Sequence, residues 1–211
     1  MIAALYVKTG GCYYNLPNVD PWDETRDARL YPGPYPVIAH PPCQRWGKFW
    51  AGQPLWIAKT GQRKTKGDDN GCFKAALKTV RKYGGVLEHP YGSHAWPCFG
   101  LNKPPRTGGW IKADNFDGWT CCVEQVRYGY YARKPTYLYA VRTDLPELDW
   151  GVSEVNIPQW ALEKYGDKKA KRAGELAFKG GGKDNVHRIS TPVAFRDILI
   201  NMAESVNGKD Y

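Results

Sequence analysis

Short apolar runs, separated by glycine, proline or charged residues, dominate the first two thirds of the chain. The two runs nearest the N-terminus are residues 3–7 (AALYV) and 37–39 (VIA). Further short runs cover 86–90, which ends in a turn, 119–125, and 137–141, which is rich in β-branched and aromatic residues. Runs of this length and content are typical of buried strands. The pattern therefore predicts a fold that contains several short strands.

Two segments carry the apolar spacing of an amphipathic helix. The first starts at a capping Asp69 or Asn70 and ends at Gly84 and Gly85. Its apolar positions follow i, i+3, i+4, i+7 spacing and are Phe73, Ala76, Leu77 and Val80. The second opens at Thr191-Pro192, and its apolar positions are Val193, Phe195, Ile198, Leu199 and Met202. Strands combined with such helices predict an α/β fold, here as one domain over residues 1–211.

The ends of two predicted strands carry the first candidate chemistry. Residues 3–7 run into a glycine turn at Gly10 and Gly11, where backbone without Cβ lets a nucleotide approach closely. The 37–39 run is followed by His40, two prolines and Cys43. In open α/β sheets ligands gather at the carboxyl ends of strands, so a cysteine on this rigid turn is placed to act as a nucleophile. A buried structural cysteine is the alternative interpretation.

Composition indicates a folded, basic protein. The 211 residues are 42% hydrophobic and 14% aromatic, and 30 Lys and Arg against 21 Asp and Glu give a formal net charge of +9. A basic, aromatic-rich chain favours a polyanionic partner, with nucleic acid as the first candidate. The six cysteines form no CxxC pair and no metal-ligand spacing. We also find no signal peptide and no apolar run that could span a bilayer, and we expect a reducing cytoplasm.

Two basic stretches are candidate contacts for a polyanion. Residues 48–68 interleave cations with Trp50 and Trp56 and are predicted to form a loop. Their cations are Lys48, Lys59, Arg63, Lys64 and Lys66. The second stretch lies within residues 142–188 and contains Lys164, Lys168, Lys169, Lys171, Arg172, Lys179 and Lys183. Cations can meet phosphates and a tryptophan can stack on a base.

The run Pro41-Pro42-Cys43-Gln44 resembles the catalytic motif of the cytosine-5 DNA methyltransferases. Other segments are similar to the same family in the same order. The 69–90 segment corresponds to a helix followed by the family's Glu-Asn-Val strand, written here Glu88-His89-Pro90. Leu5-Tyr6 with Gly10-Gly11 resembles the cofactor turn, although Lys8 stands where the family has glycine, and 128–141 resembles a later motif.

The resemblance implies a set of site residues. Cys43, Glu88, Arg133 and Gln44 would be catalytic. The S-adenosylmethionine site would be formed by Tyr6, Gly10, Gly11, Asp20, Asp27 and Pro41. The acidic residues of the 15–35 span, Asp20, Asp23 and Asp27, would contact ribose or adenine, and the alternative is that they are loop and N-cap carboxylates. Gln125 or Arg127 would assist Arg133, and surface cations on a hairpin are the alternative there.

The resemblance also implies a fold and a reaction. The fold would be a Rossmann-like, methyltransferase-type α/β domain with a shortened cofactor region and a reduced basic recognition region at 142–188. A cytosine would be flipped out of duplex or single-stranded DNA. The Cys43 thiolate would add to C6, Glu88 would polarise the ring at N3, and C5 would take a methyl group from S-adenosylmethionine.

Two alternatives stay open at the level of sequence. The same Cys43 and Glu88 could serve another modification at C5, or act on a free nucleotide. The other alternative, from a different class, is a non-catalytic nucleic-acid-binding protein.

Overall fold

A computed structural model describes residues 1–47, 50–51, 54–155, 157, 159–168, 170–171 and 190–206. Seven strands of these residues form one sheet in the order β2-β1-β3-β4-β7-β6-β5. The strands are β1 Ile2–Leu5, β2 Val19–Trp22, β3 Val37–Ala39, β4 Gly85–Pro90, β5 Ile111–Lys112, β6 Trp119–Glu124 and β7 Pro135–Val141. The helices of the described part are α1 Pro54–Thr60, α2 Cys72–Tyr83, α3 Ala95–Cys98, α4 Gln159–Tyr165 and α5 Val193–Glu204.

The sheet changes direction at its centre. Strands β2, β1, β3 and β4 are parallel, whereas β7 is antiparallel to β4, β6 to β7, and β5 to β6. From β1 the chain goes first to β2 on one side and then to β3 on the other. The gap between the carboxyl ends of β1 and β3 is therefore a topological switch point, where open α/β sheets bind ligands.

Each face of the sheet is covered by one long helix. The alternation of side chains along a strand sends Ala3, Leu5 and Leu87 to the face that α2 covers with Phe73 and Leu77. The other face presents a second set of strand residues to α5: Ile2, Ala4, Ile38, Val86 and Leu138. Four residues of α5 are buried against them: Phe195, Leu199, Met202 and Ala203. The resulting three-layer arrangement confirms the α/β prediction, and its mixed sheet is compatible with a Rossmann-like fold.

The predicted strands and both long helices are present, with small shifts at their ends. The first strand stops at Leu5 because Tyr6 has a φ of 59°, a left-handed conformation that ends a strand. The N-cap of α2 is Gly71 and not the predicted Asp69 or Asn70, although the Asp69 carboxylate accepts hydrogen bonds from the amides of Gly71 (3.0 Å) and Phe73 (2.8 Å) and so satisfies an amide of the first turn. The Pro192 prediction is confirmed, since α5 begins at the next residue.

Five elements were not predicted from the sequence: β2, α1, α3, β5 and α4. Strand β2 lies in the 15–35 span, where no regular element was expected. Its four residues include Pro21 and are only half-buried, as is typical of an edge strand, so they lack the continuous apolar run of a buried one. The predicted 48–68 loop contains the helix α1. Among the described residues no helix is long and apolar enough to cross a membrane.

We predict that Gly85→Ala disrupts the pairing of β3 with β4. Gly85 has a φ of 120°, and a Cβ there would lie 1.9 Å from the Val37 carbonyl oxygen of the neighbouring strand. The clash is with backbone, so the free energy of unfolding should fall by ~4 kcal/mol or more. Gly100→Ala is the matched control, because Gly100 also has a positive φ of 69° but no atom within 4 Å of an added Cβ. Its cost should be ~1–2 kcal/mol, and equal effects in urea unfolding would contradict the prediction.

Candidate active site

The turn after β3 holds Cys43 at the switch point. The Cys43 carbonyl accepts hydrogen bonds from the amides of Trp46 (3.0 Å) and Gly47 (2.9 Å), which closes a tight turn over the cysteine. Trp46 anchors this turn, since its ring is buried and its Nε1 donates to the Asp69 carboxylate at 2.8 Å. Cys43 itself is half-buried. The chain therefore fixes the backbone of the cysteine and leaves its side chain partly accessible.

Strand register brings Glu88 and His40 together. Strands β3 and β4 pair in parallel with Ile38 opposite Val86 and Ala39 opposite Leu87. The next pair in this register is His40 and Glu88, and both side chains fall on the α5 face. Their contact is direct, because His40 Nδ1 lies 3.1 Å from Glu88 Oε2. Each side chain is about one-seventh exposed, 13% for His40 and 14% for Glu88.

Hydrogen bonds extend from this pair in both directions. The hydroxyl of the buried Tyr13 lies 2.9 Å from His40 Nε2. On the other side, Gln125 Nε2 donates to Glu88 Oε1 at 3.3 Å and to Thr136 Oγ1 at 2.9 Å. Gln125 and Thr136 are both fully buried. We call Tyr13, His40, Glu88 and Gln125 the site chain, and it connects four separate segments of the fold.

The site chain keeps Glu88 charged. Burial alone would raise the pKa of its carboxyl, but the hydrogen bond from His40 and the positive charges of His40 and Lys134 lower that pKa overall. Glu88 is therefore ionised at neutral pH, and a proton for a bound base is not stored on its carboxyl in the unliganded protein. Its neighbour His89 is neutral, because burial lowers the pKa of His89 to about 4.

Lys134 provides a cation beside the cysteine. Burial lowers the pKa of Lys134, while the negative charges that Glu88 and Cys43 can carry raise it. The ammonium therefore lies within electrostatic reach of both groups, and its Nζ donates to the Ser190 carbonyl at 2.7 Å. A nearby cation stabilises a thiolate relative to a thiol. The arrangement agrees with the positive field that a nucleophilic Cys43 needs.

Arg133 is directed to a different carboxylate. Its guanidinium lies 3.2 Å from Glu124, which is 1% exposed and also accepts from Arg106 at 2.7 Å and from the Ser153 amide at 2.8 Å. These contacts lower the pKa of Glu124 although burial opposes the shift. The structure thus places Arg133 in a buried ion-pair cluster and not against Glu88. Gln44, the fourth predicted catalytic residue, is exposed on the turn after Cys43.

The predicted cofactor turn lies directly beside the Cys43 turn. The His40 amide donates to the Leu5 carbonyl at 3.0 Å, so the two turns leave adjacent strands side by side. Gly10 has a φ of 66° and no atom within 4 Å of an added Cβ, which leaves open space above its backbone. A Cβ on Gly11 would meet the Lys8 carbonyl at 2.8 Å, so this glycine allows the turn itself to close.

The remaining residues predicted to bind the cofactor are engaged within the protein. The Tyr6 hydroxyl donates to the Cys72 carbonyl at 3.1 Å, and Pro41 is buried. Asp20 forms an ion pair with Arg26 at 2.5 Å, and Asp27 forms one with Arg29 at 2.6 Å. Asp27 also caps a 3-10 helix over Ala28–Leu30, so here the N-cap alternative is the one that the structure shows.

Asp23 has a structural role at the same edge of the sheet. Its carboxylate accepts from the hydroxyls of Thr9 (2.7 Å), Tyr14 (2.5 Å) and Thr25 (2.7 Å), which bind the glycine turn to the end of β2. These hydrogen bonds lower the pKa of Asp23. Each of the three aspartates in the 15–35 span is therefore held by a partner in its own or a neighbouring turn.

Sequence reasoning missed His40 and Tyr13. His40 was seen only as the residue that ends an apolar run, yet the parallel register of β3 against β4 sets it opposite Glu88. Tyr13 had no such signal, because it lies in an irregular segment between β1 and β2. Gln125 was named as an assistant to Arg133, and the structure places it against Glu88 instead.

Other ligand sites on the described residues are less suited to chemistry. A depression of about 290 Å³ lies between α2 and the residues before β6, and its lining includes Arg81, Phe99, Asp114 and Phe116. No member of the site chain lines it. Within the described ranges no cluster of three or more His, Cys, Asp and Glu is placed to hold a metal ion. The six cysteines, all within those ranges, form no disulfide.

Comparisons of this chain with protein families, with curated proteins and with solved structures found no match.

Proposed function

We propose that this chain is a DNA cytosine-5 methyltransferase-like enzyme in which the Cys43 sulfur adds to C6 of a flipped cytosine. One observation carries the proposal: Cys43 lies on a fixed turn after β3 at the switch point of the sheet, and an ionised Glu88, held by His40, lies on the adjacent parallel strand β4. A nucleophile and a group that can bind the pyrimidine edge are thereby brought to one place.

Each of the two residues has a defined task in this reaction. Cys43 attacks as the thiolate, which Lys134 stabilises through its positive charge. Glu88 faces the base edge and accepts a hydrogen bond from the exocyclic amine of cytosine. A proton shared with N3 withdraws electrons from the ring, so that C6 becomes electrophilic. As the S–C6 bond forms, the C5=C6 electron pair moves into the ring and makes C5 nucleophilic.

S-adenosylmethionine is the proposed donor, and the residues fit it in part. The open space above Gly10, at the switch point beside the Cys43 turn, suits a ligand that approaches the backbone closely. Asp20 and Asp27 are occupied by arginines and would have to exchange these partners for the ribose. When bound, the donor supplies an electrophilic methyl group to C5. Gly10 and Gly11 would hold it.

DNA is the proposed partner because the chain carries two stretches of exposed cations. One follows the Cys43 turn and the other lies later in the chain. Lys59, Arg63 and Lys66 follow the Cys43 turn and are exposed, and the Lys66 ammonium lies 5.3 Å from the centre of the Trp50 ring. The described cations of the second basic stretch, Lys164, Lys168 and Lys171, are exposed as well. The predicted contacts at Lys48, Lys169, Arg172, Lys179 and Lys183 lie outside the described residues.

A second candidate function keeps the same Cys43 and Glu88 chemistry without this donor. It is favoured by the engagement of Asp20 and Asp27, which leaves the donor site short of acidic contacts. In that case the enzyme would modify C5 of a pyrimidine with another electrophile, or act on a free nucleotide.

We predict that Cys43 forms a covalent adduct with DNA that contains 5-fluorocytosine when S-adenosylmethionine is present. Fluorine at C5 cannot leave as a proton does, so the S–C6 bond persists after C5 is modified. Denaturing gels should show the adduct for the wild type and for Cys72→Ser, the matched control, and not for Cys43→Ser. Adduct mapped to Cys72 or Cys121 would contradict the assignment. Reaction with 5-fluoro-dCMP but not with DNA would indicate a free-nucleotide enzyme.

A second prediction concerns the donor. S-adenosylmethionine should bind weakly, because few groups enclose it, with a dissociation constant of ~1 µM or weaker, roughly −8 kcal/mol. Gly10→Leu should abolish binding by filling the open space above the turn. Gly100→Leu is the control, with a similar positive φ of 69° and equally open surroundings. Isothermal titration with and without DNA measures both. No binding at millimolar ligand in either case would exclude methyl transfer and leave the second candidate function.

A third prediction concerns DNA. Affinity should fall steeply with salt and depend little on sequence, because phosphate contacts dominate. Lys59→Gln and Arg63→Gln should each reduce the slope of log affinity against log salt by ~1. Lys78→Gln is the control, since Lys78 is exposed on α2 outside both basic stretches. Fluorescence anisotropy with duplex and single-stranded DNA measures the slopes. Undetectable binding of both at low salt would rule out a DNA substrate.

A further inference from the structure

The reaction proposed above needs a proton that Glu88 does not hold. The carboxyl must share a proton with N3 of the base, yet in the unliganded protein it is ionised and accepts a hydrogen bond. The donor of that hydrogen bond is His40 Nδ1, at 3.1 Å. His40 is therefore the nearest described group from which a proton can pass to the carboxyl.

Tyr13 is the hydrogen-bond partner of the second imidazole nitrogen of His40, Nε2. The Tyr13 hydroxyl lies 2.9 Å from Nε2 and is buried, so this side of the imidazole is closed to bulk solvent. A phenol oxygen can donate to a neutral Nε2 or accept from a protonated one. The ring is consequently held in place in both charge states, and its proton can leave only from Nδ1 toward Glu88.

We propose that His40 is a positioning residue that delivers a proton through Glu88 to N3 of the bound cytosine, with Tyr13 holding the imidazole in both of its charge states. This assignment rests on the proposed function and adds two residues, His40 and Tyr13, that the motif resemblance does not include.

The proton and electron balance of the step is complete within the site. The Nδ1–H bond of the His40 imidazolium breaks and an O–H bond forms on Glu88. That O–H bond breaks as the N3–H bond forms, while the Cys43 thiolate uses its electron pair for the S–C6 bond. His40 ends neutral, with Nε2–H donating to the Tyr13 oxygen, and Glu88 ends ionised. Elimination of Cys43 from C6 returns the proton along the same route.

Several other titratable or charged groups face this site, and their effects on the pH dependence must be distinguished from that of His40. They are Cys12, Cys43, His89, Lys134 and, through Tyr13, Arg196 and Asp197 of α5. Burial raises the pKa values of Tyr13 and Cys12 and lowers that of His89 to about 4, so these three do not gain or lose charge near neutral pH as an unperturbed His does. Cys43 and Lys134 remain as groups that require controls.

Exchange of the C5 hydrogen of cytosine with solvent deuterium measures the step without a methyl donor. Addition of Cys43 to C6 makes C5 nucleophilic, C5 takes up a solvent deuteron, and elimination restores the base with the label. The rate for the wild type should be bell-shaped in pH. The rising limb reports formation of the nucleophile, and the falling limb reports loss of the proton that the site chain delivers to N3.

His40→Asn separates proton delivery from simple hydrogen bonding. The asparagine amide can still donate to Glu88 from the position of Nδ1, but it cannot give up a proton. We expect the exchange rate at pH 7 to fall by ~100-fold or more, and the falling limb to move to lower pH because Glu88 must then carry the proton itself. Tyr13→Phe should move the same limb to lower pH with a smaller loss of rate. His94→Gln, at a histidine outside the site chain, should match the wild type.

The outcomes separate the two proposals. A wild-type profile in His40→Asn, or a rate in His40→Ala that is lowered equally at all pH values, would show that His40 only positions Glu88 and would overturn the inference alone. The falling limb should also be present in the pH profile of Lys134→Arg, because arginine keeps its positive charge over this pH range. If this variant showed no falling limb, the limb would be assigned to Lys134. Neither exchange nor covalent adduct in the wild type would overturn the proposed function, and this inference with it.

Discussion

The parallel pairing of β3 with β4 determines what the candidate site contains. A register that sets Ile38 against Val86 also sets His40 against Glu88, two residues further along both strands. The apolar pair lies in the core under α5. The polar pair lies further along the two strands, where both side chains are partly exposed. One constraint therefore fixes both the packing of the sheet and the contact on which the proposed chemistry depends. This register depends on Gly85, because a side chain at that position would clash with the backbone of Val37.

Two buried carboxylates on neighbouring parts of the sheet show how structural and chemical roles differ. Glu124 is 1% exposed and is saturated by Arg106, Arg133 and a backbone amide, so it has no surface left for a ligand. Glu88 receives a weaker set of donors, one imidazole and one amide nitrogen, and its side chain remains 14% exposed. A charged group with spare acceptor capacity is the one that can bind a base. Arg133 binds Glu124 and therefore does not contact Glu88 directly.

The sequence predicted those features that depend on local periodicity. Buried strands and the helices α2 and α5 follow from apolar spacing, and the position of Cys43 just after β3 follows from where that apolar run stops, whereas Glu88 lies inside β4. Strand β2 could not be predicted, because Pro21 and half-buried side chains remove the apolar signal from an edge strand. The pairing of Arg133 with Glu124, and the contact of Tyr13 with His40, depend on which segments meet in space. Local patterns carry no information on such long-range contacts.

The two halves of the proposed reaction are supported unequally, and the reason is physical. Addition to C6 needs a thiolate, a cation and a group on the base edge; Cys43 follows β3, Glu88 lies on the adjacent β4, and Lys134 is within electrostatic reach of both. Donor binding needs contacts around the glycine turn, where the three aspartates of the 15–35 span are held by internal partners. The first half requires no rearrangement of the described structure, whereas the second requires Asp20 or Asp27 to leave an arginine. Exchange at C5 is therefore expected to be the more persistent activity, and methyl transfer the more sensitive to changes in the turn after β1.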